Sequence, residues 1–218
     1  MADPLSPYHW LEGPGGHPRR LGGIYCVSFF RELAPAEVLH RFGPDEAPGQ
    51  EMTFDQLWDI VGDFTTRTQG GSGSGYVGVR QARGWSVAIE LLGWYAVLPG
   101  YHTRLSEGCE MIAISRHDYA EDSFVYAADG ELLTGFTPHM PSRRWGSDPN
   151  RINPIMHEFG MPTETLNDEE WEDEDAWDRM YEHRIARVFA LAAELTGVAF
   201  TPSLLDEPLL VGAITQLA

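Results

Sequence analysis

Between residues 75 and 137 short runs of β-branched and aromatic residues alternate with tight, glycine-bearing turns, and this stretch constrains the whole chain. Tyr76–Gln81 leads through Gly84 into Trp85–Glu90. Cys109–Ile114 precedes Phe124–Ala127, which turns at Asp129-Gly130 into Leu132–Phe136. Polar residues fall at alternate positions within the runs. This is the pattern of strands joined by hairpins, an antiparallel meander.

The flanks supply helices and a further strand. Ile24–Phe30 is apolar almost without a break, as in a strand covered on both faces. Pro35 opens a short helix to Phe42, closed by Gly43 and Pro44. Thr53 with Gln56 three residues on forms a capping box. Phe54, Leu57, Trp58 and Val61 follow it at helical spacing, predicting a helix over 54–63. The stripe Met180, Ile185, Val188, Phe189, Ala192 and Leu195, stopped by Gly197, predicts a helix over 176–195.

Between these, 44–50 reads as a polar loop and 65–75 as a flexible Thr/Gly/Ser stretch. Tyr95–Leu98 reads as a strand continuation, 102–107 as a helical turn, 143–149 as a turn-rich link and 150–159 as a short helix. The expected fold is α+β: a mostly antiparallel sheet of five to seven strands with helices packed around it. Its expected organisation is an irregular lead at 1–20, with Tyr8, Trp10 and Leu11 docking on the body, then a core domain at 21–163. An acidic segment at 164–178 and a helix with an apolar tail at 179–218, packing on the core, complete it.

A formal net charge of -18 argues against sequence-independent nucleic-acid binding and against adsorption to an anionic membrane surface. It suits a basic protein partner, since complementary fields speed encounter, and it equally suits plain solubility. All 15 basic residues are arginine. A P-loop lysine, a kinase lysine and a Schiff-base lysine are therefore excluded. The two cysteines, Cys26 and Cys109, sit in apolar runs and read as buried structural thiols. No cationic start leads into an apolar core and no apolar run reaches membrane-spanning length, so a cytoplasmic protein is expected.

Catalytic patterns fail one by one. Gly73-Ser74-Gly75-Tyr76-Val77-Gly78 has the glycine spacing of a phosphate-binding turn but precedes a strand, so the helix amides that would hold phosphate are missing. The serines at 72 and 74 lack the strand-turn-helix setting of a nucleophile elbow. The eight histidines include no i, i+4 metal pair, and no metal or cofactor is expected.

Two clusters remain. Residues 168–175 hold seven acids around Trp171, with Trp177 close behind. Glu170, Trp171, Glu172, Asp173, Glu174, Asp175 and Trp177 are candidate partner-binding residues, the indoles acting as anchors inside an electrostatic rim. The same indoles could equally hold the segment on its own domain. The second cluster, Trp85, Glu90, Arg143, Arg144 and Asp148, is a candidate anion-accepting pocket. In its structural reading Arg144 pairs with Asp148 or Glu90, and Trp145 plugs the edge of the core.

The ordered set Tyr25-Cys26-Val27, Glu37–Gly43, Gly84–Glu90, Leu105–Gly108, Tyr126–Gly130 and Gly146–Pro149 resembles a domain family of unknown function from GC-rich Gram-positive bacteria. The resemblance covers residues 25–160 and implies no activity and no catalytic residue. The acidic block and the Gly-Ser loop depart from it. The residues and the charge together predict a non-enzymatic protein-binding module, of the immunity or antitoxin type, that neutralises a basic partner. A small enzyme or ligand-binding domain using the second cluster is the alternative.

Overall fold

The structure, a computed structural model, describes residues 3–12, 21–69, 75–165 and 181–215. Among them nine strands form one sheet: β1 (Ile24–Arg31), β2 (Gln50–Met52), β3 (Tyr76–Ala82), β4 (Trp85–Leu91), β5 (Glu110–His117), β6 (Ser123–Ala128), β7 (Glu131–Thr137), β8 (Met140–Trp145) and β9 (Leu209–Ala213). The spatial order is β2-β9-β3-β4-β1-β5-β6-β7-β8, and every pairing is antiparallel. The α+β class with an antiparallel sheet stands, with more strands than expected.

Turn chemistry sets the meander's register. At Arg83-Gly84 both central residues have positive φ, 47° and 83°, and Ala82 pairs with Trp85 across them. Asp129-Gly130 repeats this at 51° and 80°, with Ala128 opposite Glu131. Two-residue turns of this hand match the strands' right-handed twist, and glycine takes the second position without strain.

Both faces of the central strands are covered. Tyr25, Val27 and Phe29 of β1 point to a face packed by α2 (Phe54–Thr68), α4 (Asn153–Glu158) and α5 (Arg184–Thr196). The 3-10 turn Ser6–Leu11 closes that layer, burying Tyr8 and Leu11 while Trp10 stacks on Phe200 at 5.8 Å. Cys26 and Phe30 point to the other face, under α1 (Pro35–Phe42), α3 (Tyr101–Leu105) and a 3-10 turn at Tyr95–Val97. Double coverage explains why Ile24–Phe30 lacks polar alternation.

Several elements differ from expectation. The helix begun by the Thr53 capping box runs on to Thr68 and stops at Gln69, whose φ is 55°; Thr65 and Thr68 are accommodated by donating their hydroxyls to the carbonyls of Val61 and Phe64. The tail enters the sheet as β9 rather than lying on it, and the end of the polar loop, Gln50, pairs with it together with Glu51 and Met52 as β2. Residues 95–97 form a turn, and Arg143–Trp145 belong to β8. The C-terminal helix starts at Arg184 because His183 takes a φ of 56°; residues 176–180 lie outside the described residues. Of the two cysteines only Cys26 is fully buried. Among the described residues no helix is long and apolar enough to cross a membrane.

Candidate functional site

The proposed pocket residues do not meet. Trp85 and Glu90 share β4, five residues apart, and so point to opposite faces. Trp85 packs with Val87, Ile89 and Leu91, while Glu90 lies opposite Cys26 on the other side. Arg143 and Arg144 are on β8, with β1, β5, β6 and β7 intervening. Five strand spacings amount to about 24 Å.

Arg144 pairs with neither Asp148 nor Glu90. Its guanidinium donates to the carbonyls of Pro149 (2.9 Å), Pro141 (2.7 Å) and Thr163 (3.0 Å), and to Asn150 Oδ1 (3.0 Å). It staples β8 to the 149–163 segment, and burial lowers its pKa. Asp148 instead faces Arg151 at 3.7 Å. Trp145 is 44% exposed and rests on Gly135, where a Cβ would come within 2.5 Å of its indole nitrogen; it does not plug the core.

Glu90 is a fully buried carboxylate with a structural task. It accepts the amides of Tyr95 (2.7 Å) and Ala96 (3.0 Å), the first donors of the 3-10 turn above it. Desolvation raises it from an ordinary 4.5 to about 7, with the two amides and the Cys26 thiol pulling the other way. Burial and the neighbouring Glu90 push the Cys26 thiol well up. Both of its oxygens are taken by these amides and none of it reaches the surface.

Between α1 and α3 lies a shallow depression of about 280 Å³ lined by Glu37, His40, Arg41, Pro44, Arg104 and Glu107. Its guanidiniums hold the two helices together. Arg41 Nη1 donates to Leu105 O (2.8 Å) and Glu107 O (2.6 Å) at the end of α3, and Arg104 Nη2 donates to Phe42 O (3.3 Å) at the end of α1. Each arginine satisfies carbonyls left open at the other helix's C-terminus.

That use of arginine recurs. Arg31 binds Glu110 at 2.9 Å, Arg80 binds Leu204 O at 2.8 Å, and Arg184 binds buried Asp122 at 2.8 Å. Arg116 reaches Leu11 O at 2.6 Å and Asp118 at 3.2 Å. Arg80, Arg116 and Arg184 are largely covered by these contacts, whereas Arg31 stays half exposed. On α2, Asp55, Asp59 and Asp63 stand exposed at i, i+4 and i+8, with no ion pair to a described residue. Like charges at this spacing oppose the helix by about 0.2–0.5 kcal/mol per pair. The spacing is legible in the chain, where the denser acid block at 168–175 overshadows it.

The candidate partner-binding residues Glu170–Asp175 and Trp177 lie outside the described residues. Among the described residues no group of three or more His, Cys, Asp or Glu could hold a metal ion.

Comparison with known proteins finds no matching curated protein and no matching solved structure. A family model matches residues 1–216, nearly the full length and well beyond the span of the resemblance read from the residues. The chain belongs to that family, described as a family of unknown function (DUF6461).

Proposed function

We propose that the protein is a non-enzymatic binding module of the cytoplasm that captures and neutralises a basic protein partner, in the manner of an immunity or antitoxin protein. What supports this reading is the disposition of charge. Several arginines are tied to internal carbonyls and carboxylates, while Asp55, Asp59 and Asp63 of α2 stand exposed with no ion pair to a described residue. The sequence adds seven acids within eight residues at 168–175. Self-repulsion of this kind destabilises a lone domain and is relieved when a cationic surface binds.

Reversing charge at Glu172, Asp173 and Glu174 tests it. The triple lysine variant is expected to lose most of the partner recovered by tagged wild-type protein from its native lysate. Undiminished recovery contradicts the reading.

A further inference from the structure

One end of the sheet gathers the turn after β5, the turn between β7 and β8, and the start of α5. Tyr119, in the first of these turns, is 89% exposed, the most exposed large hydrophobic side chain described. A surface turn has no folding use for a bare phenol ring, yet this one is backed. His117 lies edge-on to it at 6.4 Å, and Trp94 lies edge-on to His117 at 5.0 Å. The Tyr119 amide donates to His117 Nδ1 at 3.2 Å, fixing the turn. Asp118 and Glu121, one residue before and two after it in the chain, are both exposed; Asp118 pairs with Arg116 at 3.2 Å, and Glu121 has no ion pair to a described residue.

The adjoining contacts show what such a site accepts. The His117 amide donates to Asp122 Oδ1 at 3.0 Å, and Asp122 Oδ2 holds Arg184 Nε at 2.8 Å. The same Arg184 guanidinium lies over the Tyr181 ring at 5.7 Å, and His139 stacks on that ring at 5.5 Å. Here a tyrosine face, a carboxylate and a histidine backing receive one arginine of the chain itself. Tyr119, Glu121 and His117 supply the same residue types on the neighbouring turn, with the histidine edge-on rather than stacked and the tyrosine ring open to solvent.

We infer that Tyr119 and its flanking acids form the docking point for an arginine-bearing segment of the partner, an inference that rests on the partner-binding reading above. Guanidinium suits the site better than ammonium. Its plane stacks on an aromatic face while its edge hydrogen-bonds a carboxylate, and it sheds water more readily. Aromatic anchors of this kind carry a disproportionate share of binding energy.

Fluorescein-labelled nona-arginine and nona-lysine, titrated into the full-length protein at physiological salt, provide the test. Tyr119→Ala is expected to weaken nona-arginine binding about threefold or more, from loss of the cation–π contact. Tyr119→Phe, which keeps the ring, should bind as wild type, and nona-lysine should respond less. Equal nona-arginine affinity in wild type and Tyr119→Ala overturns the inference. If the lysine variant at 172, 173 and 174 still weakens binding in that case, only the docking point fails. If neither change weakens it, the partner-binding reading fails as well. The ring is exposed and makes no core contact, so the variants retain the fold, which a thermal melt verifies.

Discussion

Glu90 and Arg144 show how little a residue's chemistry reveals before its neighbours are known. Both have the composition of a binding site, and both serve the backbone instead: Glu90 caps a 3-10 turn, and Arg144 bridges three carbonyls and an asparagine. Carbonyl acceptors are present at every position of every sequence, so an arginine destined for them carries no signal. Burial raises the folded pKa of Glu90 to about 7, above the 4.5 of an exposed carboxyl. The folded state therefore keeps its proton longer. The stability this group contributes is fully present below about pH 4.5 and is lost as pH rises through about 7, on the order of 3 kcal/mol in all. Glu90→Gln cannot ionise, so the fall in urea-unfolding free energy between pH 5 and pH 8 should be shallower than in wild type. Parallel pH profiles would contradict the assignment.

Elements that announce themselves locally were legible: the β3–β4 and β6–β7 hairpins from their turn residues, β1 from its unbroken apolar run, and α2 from its capping box. Those created by long-range pairing were not. Residues 50–52 are too few and too polar to read as a strand, and they become β2 only because Leu209–Val211 of β9, far along the chain, return to pair with them. Removing the cap with Thr53→Ala should lower stability by about 1 kcal/mol in denaturant titration, because Thr53 Oγ1 accepts the Gln56 amide at 3.2 Å. On the same helix Asp59→Lys replaces two repulsive i, i+4 spacings by attractive contacts. It should raise the melting temperature slightly while lowering partner capture. A variant that is less stable would show that the stripe is not self-repelling. One that is more stable with undiminished capture would remove α2 from the binding surface.

For the molecule as a whole, the sheet is covered on both faces, several of the described arginines fasten the fold internally, and the chain carries a net charge of -18. Charge was the most accessible property of the sequence. Its meaning depended on where the arginines went, and that only the fold discloses. A long-range field is screened by salt, with a Debye length of about 8 Å at physiological strength and about 3 Å at 1 M. The most direct test is affinity capture of the tagged protein from its native lysate at low and at high salt, beside the lysine variant at 172, 173 and 174. One basic protein is expected, recovered at low salt, released at high salt and absent from the variant. Recovery of no basic protein at either salt, or a partner held equally by wild type and variant, would contradict the proposed function.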